Sequence, residues 1–452
     1  MIHATAQIPR EVDCLVLGGG ITGAGVARDA AIRGLSVLLV DSHDFASGTS
    51  HLTSKLVHGG LRYLEYGQFR MVLEGVSERN RLLNLIAPNL VRPLKFIIPL
   101  EEHDLKRWLL ATSALQLYDL MGLYDGGRRS RTLNEAALAE ACPALRSFPS
   151  ALAFWDAQTN DARLVLATLR TAVEAGATIL NYAAVQAARF DGRGWDVHLC
   201  DEDAGVTVAV QARSIVNATG PWAPLTAELL SEPPKPLMWV KGTHIVLDRL
   251  AGFGDDAIVI RSLRDRRPLW VVPWESRLLL GTTESFYEGN LRRVRAEEDE
   301  VADLFSSFAD AFPGLHARPH HVRMAFAGVR PIIQQEGALD NALSRHHEVD
   351  TDAARRVITI SGGKLTTFRR MAEQAVDQVV TMLSLPPISR RTRQRLRGEA
   401  LWPGLVRGGR GELHHQLAHE ARSAELDEET ITHVIRHYGV DAAGIVAKMF
   451  RD

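Results

Sequence analysis

Three glycines, Gly18, Gly20 and Gly23, stand in a G-x-G-x-x-G spacing, and an acidic residue, Asp41, follows eighteen positions after the last. These types at this spacing suit a dinucleotide. The first glycine permits a tight turn, the second lets backbone approach a pyrophosphate, the third lets a helix pack closely on a strand, and the carboxylate takes a ribose hydroxyl. The helix start then turns its free N–H groups toward the phosphates. FAD and NAD both satisfy this pattern. A second concentration of reactive types runs through Ser47–Tyr63, rich in hydroxyls, glycines and cations. Its hydroxyls and amides can hydrogen-bond a phosphate or ribose, and the Gly59-Gly60 pair lets backbone lie against a planar ring; a solvated loop fits the composition equally well. A third, Ser361-Gly362-Gly363-Lys364-Leu365-Thr366-Thr367, follows an apolar run and precedes a helical one, which makes another anion-friendly helix start.

The elements that must position these residues are legible as periodicities. Cys14–Leu17 is a short apolar run of buried-strand type, Ala24–Ile32 an alanine-rich helix stopped by Gly34, and Ser36–Val40 a second strand ending at Asp41. Phe69–Leu85 reads as an amphipathic helix closed by Pro88 and Pro93, followed by a strand at Phe96–Pro99 and a helix over Asp104–Met121. Asp161–Ala175 is helical, Gly176 stops it, and Ile179–Tyr182 is a further parallel strand. Alternation around Trp195–Leu199 and Thr207–Val210 leads to Ser214–Trp222, a buried strand ending in Ala218-Thr219-Gly220, where such sheets return to the cofactor.

Pro233, Pro234 and Pro236 mark a boundary. Beyond them, strand signals at Thr243–Leu247, Ala257–Ile260, Leu269–Val272 and Leu278–Leu280 predict a mostly antiparallel sheet that forms the substrate domain. Ala296–Phe312 is helical, Val322–Pro331 is a strand with a sharp turn at the proline, Val357–Ile360 is a buried strand, and Phe368–Leu383 is a helix. An arginine-rich tract, Arg390 to Arg397, opens a polar, helical remainder.

Composition sets the outer bounds. A chain of 452 residues accommodates two or three domains. The formal net charge of −2 supplies no global attraction to nucleic acid, and none is expected as a partner. Cys14, Cys142 and Cys200 are far apart and form no C-x-x-C pair, which argues against a zinc site or a disulfide framework and suits a reducing cytosol; no metal is expected. Met1–Glu11 lacks the basic start and apolar core of a secretory signal. Trp108–Tyr124 approaches a membrane span but is interrupted by Gln116, Asp119 and Gly122. Its flanks, Lys106 and Arg107 before and Arg128, Arg129 and Arg131 after, leave two readings: an interfacial helix, or core and dimer packing.

Five pieces in order, Ser54–Glu65, Asn217–Trp222, Lys241-Gly242-Thr243-His244, Gly328-Val329-Arg330-Pro331 and Gly362–Thr367, resemble the FAD-dependent, aerobic-type glycerol-3-phosphate dehydrogenases, over about residues 12–380. The resemblance implies non-covalent FAD and an α/β fold in which a glutathione-reductase-type FAD-binding domain is interrupted by an antiparallel-sheet substrate domain, as in the D-amino-acid-oxidase-like flavoproteins. Residues 1–90, 150–232 and 320–385 would form the discontinuous FAD-binding domain, 91–149 and 233–319 the substrate domain, and 386–452 a shortened C-terminal helical region. The implied reaction oxidises sn-glycerol 3-phosphate to dihydroxyacetone phosphate by hydride transfer from C2 to flavin N5, with electrons passed to a quinone.

On the same pattern His244, Arg330 and Lys364 are the catalytic candidates. Arg62, Tyr63 and Arg345 join Arg330 and Lys364 around the substrate phosphate, which an arginine fork suits. His244 is the best base, since imidazole titrates near neutral pH, although Lys364 or Arg330 could stabilise the alkoxide instead. The implied cofactor contacts are Gly18, Gly20, Gly23, Asp41, Thr49, Ser50, Ser54, His58, Gly59, Gly60, Thr219, Gly220, Gly328, Gly363, Leu365 and Thr366. A peripheral contact with the inner face of the cytoplasmic membrane and a homodimer belong to the same expectation.

Three departures accompany the resemblance: Asp41 stands where glutamate is usual, Arg345 is followed by His346 rather than aspartate, and the C-terminal region is short. Alternative readings are an oxidase using O2, an FAD dehydrogenase of another phosphorylated or anionic alcohol or amine, and a flavin-binding redox partner or sensor without turnover.

Overall fold

The computed structural model describes residues 8–88, 90–100, 105–122, 127–201, 205–334 and 346–386, with Ser389, Thr392, Thr430, His433, Val434 and Tyr438 beyond them. Arg345 and nearly all of 386–452 lie outside the described residues.

A six-stranded sheet carries the glycine fingerprint. Its order is His347–Asp352, Val357–Gly362, Ile215–Asn217, Cys14–Leu17, Val37–Val40 and Thr178–Leu180. All neighbours are parallel except the edge strand His347–Asp352, which is antiparallel. Helix Ile21–Ile32 packs between helices Asp161–Glu174 and Phe368–Met382 on one face. The other face is covered by a smaller sheet of Glu11–Val12, Val206–Ala212, Trp195–Asp201 and Ala183–Phe190. Alternate residues of each central strand therefore enter different cores: Cys14, Val16, Val37 and Leu39 face the helices, while Leu15, Leu17, Leu38 and Val40 face the smaller sheet. Burial on both faces explains why these strands read as continuous apolar runs rather than as alternating ones.

The second architecture is a ten-stranded sheet ordered Ser285–Phe286, Leu237–Asp248, Arg277–Gly281, Pro268–Trp274, Ala257–Arg261, Val91–Leu100, Ser150–Thr159 and Leu56–Val57. Val322–Ile333 also pairs with Leu237–Asp248, and Arg131–Asn134 with Ser150–Thr159. Pairing is antiparallel throughout except between Ala257–Arg261 and Val91–Leu100. Helices cover both faces. Glu298–Ala311 buries Leu304 and Phe308 on one, while Phe69–Arg81 and Leu105–Met121 bury Val72, Val76, Leu115 and Tyr118 on the other.

The expected sharp turn at Pro331 does not occur. The strand runs on to Ile333 with Pro331 opposite Trp239. Among the described residues this strand pairs on one side only, the edge position at which a proline is tolerated within a strand. The stretch Trp108–Tyr124 resolves into helix Leu105–Met121, which buries Leu115 and Tyr118 and leaves Leu109, Leu110 and Leu120 exposed. No described helix is long and apolar enough to cross a membrane.

Candidate active site

The fingerprint turn is built against the strand Ile215–Asn217. Gly18 has φ of +104°, and a Cβ there would lie 2.7 Å from the Ala218 carbonyl oxygen. A Cβ on Gly23 would lie 1.9 Å from the Gly18 carbonyl oxygen, so both positions exclude any side chain. Asp41 reaches back to this turn: its Oδ2 accepts from the Gly19 amide at 2.6 Å and its Oδ1 from the His43 amide at 2.8 Å. Burial raises the Asp41 pKa against the pull of those two donors. Ser50 Oγ accepts from the Ile21 amide at 2.9 Å and so satisfies a free N–H at the helix start. The Thr219 hydroxyl and amide both donate to Asn217 Oδ1, at 2.7 and 3.3 Å, and its carbonyl accepts from the Trp222 amide at 3.1 Å, which fixes this turn beside Gly18.

The hydroxyl-rich segment is no solvated loop. Thr49 Oγ1 donates to the Val329 carbonyl at 2.6 Å, and Gly328 is bare where Leu52 crosses it, 2.7 Å from where its Cβ would be. The Thr366 hydroxyl both accepts from the His58 amide and donates to the His58 carbonyl, each at 3.1 Å, tying this segment to Ser361–Thr367. Leu365 packs against the helix-side core. Gly60, at φ +84°, lies against the Tyr63 ring, and Lys364 Nζ stands 3.9 Å from that ring's centroid. A Cβ on Gly363 would meet the Met371 sulfur at 2.5 Å.

A second cluster forms on the large sheet. His244 and Phe326 are register partners and stack at 5.0 Å. Two residues before His244 and two after Phe326, Gly242 lies opposite Gly328, and two residues further along each strand Val240 pairs with Arg330. Side chains two apart share a face, and the Arg330 guanidinium folds over Gly242: a Cβ there would be 2.6 Å from Nη2. Arg330 Nη2 donates to Thr282 Oγ1 at 3.1 Å, with Glu284 at 3.7 Å from Nη1. His244 Nε2 and Ser54 Oγ are 2.9 Å apart, and Nδ1 is buried with no hydrogen-bond partner among the described residues. Ser54, expected on the cofactor, is thus a partner of the histidine.

One expected member stands apart, and another lies outside the described residues. Arg62 is exposed, with its guanidinium 3.5 Å from the Tyr66 hydroxyl, and Arg345 is among the residues not described. Sequence reasoning missed Thr282 and Glu284. The signal was a polar Thr282-Thr283-Glu284 run closing the apolar strand Arg277–Gly281.

A family model described as FAD dependent oxidoreductase matches residues 13–369. The chain belongs to this family. As an FAD-dependent oxidoreductase it is 33% identical to the "Glycerol-3-phosphate dehydrogenase" of Synechocystis, over 96% of this chain and 80% of that protein. It is 38% identical to the "D-erythritol 1-phosphate dehydrogenase" of Brucella abortus, over 82% and 74%. The solved glycerol-3-phosphate dehydrogenase from Bacillus halodurans, complexed with FAD, superposes with a TM-score of 0.74 at 27% identity, covering 97% of this chain and 77% of that one.

The residues present fit FAD. The bare Gly18 and Gly23 let the turn close against the Ala218 carbonyl and the helix start at Ile21 close against the turn, the arrangement a pyrophosphate needs, and Asp41 bonds the Gly19 amide of the same turn.

His244 of this oxidoreductase carries no charge at neutral pH, because burial first, then the charges of Arg330 and Lys55, hold its pKa well below the usual 6.5. The unfolded chain binds that proton below about pH 6.5 while the native state refuses it, so stability present above this pH is lost as pH falls, by up to ~1.4 kcal/mol per pH unit. His244→Gln is expected to flatten this dependence, measured as the difference in urea unfolding between variant and wild type from pH 7 to 5. Parallel curves would show that the native ring takes up its proton as readily as in the unfolded chain, against a lowered pKa.

Proposed function

We propose that this FAD-dependent oxidoreductase oxidises sn-glycerol 3-phosphate to dihydroxyacetone phosphate. The observation that carries the reading is the Arg330 guanidinium lying over the bare Gly242, beside a buried neutral His244. The names of the relatives from Synechocystis and Bacillus halodurans support it.

Bound FAD supplies the acceptor for the C2 hydride. Arg330 and Lys364 bind the phosphate dianion, with Tyr63 beneath Lys364, with Arg62 drawn in from the surface and with Arg345 joining them. His244 takes the C2 hydroxyl proton. Nδ1 suits this role, being the nitrogen that Ser54 leaves open. The loss of that proton and the C2 hydride leaves the ketone. On this reading the large sheet, which includes Ser150–Thr159 and Val322–Ile333, is the substrate side, and the six-stranded sheet is the FAD side. Electrons pass to a quinone at the inner face of the cytoplasmic membrane, where exposed Leu109, Leu110 and Leu120 offer an apolar contact, and the enzyme works as a homodimer.

The Brucella abortus relative favours a second reading, a longer polyol phosphate such as D-erythritol 1-phosphate. Anaerobic mixing tests both. Glycerol 3-phosphate is expected to bleach the flavin absorbance within the dead time of turnover. Bleaching by D-erythritol 1-phosphate alone supports the second reading, and bleaching by neither phosphate refutes both. Rapid reoxidation by air, with hydrogen peroxide formed, would replace the quinone by O2.

A further inference from the structure

Asp156 is the single acidic residue in the strand Ser150–Thr159 and is buried. Three donors converge on its Oδ1: the Tyr118 hydroxyl at 2.7 Å, Arg79 Nη1 at 2.7 Å and the Gly59 amide at 3.1 Å. The Gly59 amide also donates to the Tyr118 oxygen at 2.9 Å, so hydroxyl and carboxylate share one backbone N–H. Burial, then the Asp156 charge, keep the Tyr118 phenol protonated by raising its pKa well above 10.0, as a donor must be. The packing is as close as the bonding. A Cβ on Gly59 would lie 2.4 Å from the Tyr118 oxygen and 2.3 Å from Val76, and a Cβ on Gly75 would lie 2.6 Å from the Gly59 carbonyl oxygen.

Helix Phe69–Arg81, helix Leu105–Met121 and strand Ser150–Thr159 thus all meet one glycine that belongs to neither helix nor strand. An ion pair of this kind is not required for a stable core, since apolar replacements of such groups are often neutral or stabilising. What it does hold is the Gly59 N–H, which would otherwise be a buried donor without a partner. The next residue is Gly60, against which Tyr63 lies with Lys364 over its ring.

We propose that Asp156 and Tyr118 are positioning residues: they clamp the Gly59 amide and thereby set the Gly59-Gly60 backbone against the flavin and Tyr63 beneath Lys364. This rests on the reading that Gly59-Gly60 faces the bound cofactor. Behind that segment the Asp156 carboxylate offsets the buried Arg79 cation, so its removal would leave an unpaired positive charge that favours negative charge on the flavin.

Tyr118→Phe removes one hydroxyl and keeps the Arg79–Asp156 pair. The holoenzyme is expected to fold, to bind FAD about tenfold more weakly, as suits one lost buried hydrogen bond to a charged network, and to show a shifted visible flavin band. Asp156→Asn is expected to raise the flavin midpoint potential in a dye-coupled reductive titration. Neither readout uses an alcohol substrate, so both report on the clamp even where glycerol 3-phosphate fails to reduce the enzyme. A Tyr118→Phe protein with lowered Tm but wild-type FAD affinity and spectrum overturns the proposal, whether or not Asp156→Asn folds. A folded Asp156→Asn protein with unchanged potential overturns it as well.

Discussion

Arg330→Ala is expected to lower kcat/KM by about a hundredfold to a few thousandfold, corresponding to roughly 3–5 kcal/mol, while FAD stays bound at wild-type stoichiometry. The size follows from the setting. Arg330 is half-buried, its side chain about a quarter exposed, with its fork ordered by Thr282 and flanked by Glu284. A phosphate arriving there meets a partly desolvated cation in place, and truncation leaves the anion with Glu284 nearby and no fork. The fold should survive, because the Arg330 backbone pairs with Val240 regardless of side chain and Gly242, over which the guanidinium lies, is already bare. Arg330→Lys restores the charge but not the bidentate geometry, so it should recover only part of the loss. Steady-state kinetics alongside the flavin-to-protein absorbance ratio separate the two effects. Unchanged turnover at low substrate would remove Arg330 from the site.

Gly23→Ala is expected to yield a folded protein largely without FAD, its affinity lowered at least about a hundredfold, since phosphate binding at a helix start depends on where the helix begins. The added Cβ would stand 1.9 Å from the Gly18 carbonyl oxygen, a backbone atom that cannot rotate away. Helix Ile21–Ile32 must therefore move off the strand, at an overpacking cost of about 1–3 kcal/mol, and its start leaves the turn it faces. Gly34→Ala is the control. Gly34 also has positive φ, +89°, but nothing lies within 4 Å of its Cβ, so the change should cost about 1–2 kcal/mol of left-handed strain and leave FAD binding alone. Thermal unfolding and bound flavin measured on both variants decide the matter. Full FAD occupancy in Gly23→Ala would mean that the fingerprint turn is not the cofactor's cradle.

Much of the six-stranded sheet was legible because its signals are local. Cys14–Leu17 and Val37–Val40 announce strands buried on both faces, and the helices Asp161–Glu174 and Phe368–Met382 fall within a residue or two of their periodic patterns. The sequence pattern ends the strand at Pro331 whereas the structure carries it to Ile333, because a proline's tolerance depends on whether a neighbour needs its N–H, and that is a property of the sheet.

By itself the sequence determined that a dinucleotide turn exists and where its glycines stand, since a tight turn and a close helix approach restrict residue type at fixed short spacing. It also determined the set of cations and hydroxyls available for an anionic substrate. Only the tertiary structure decided what those groups face. Ser54 pairs with His244 across 190 positions, Thr49 bonds Val329 across 280, and Gly59 rests on Asp156 across 97. Separations of that size carry no periodic signature in the chain. They are set when two sheets and their covering helices close over one another, and a buried donor must then take whichever acceptor the packing brings within reach.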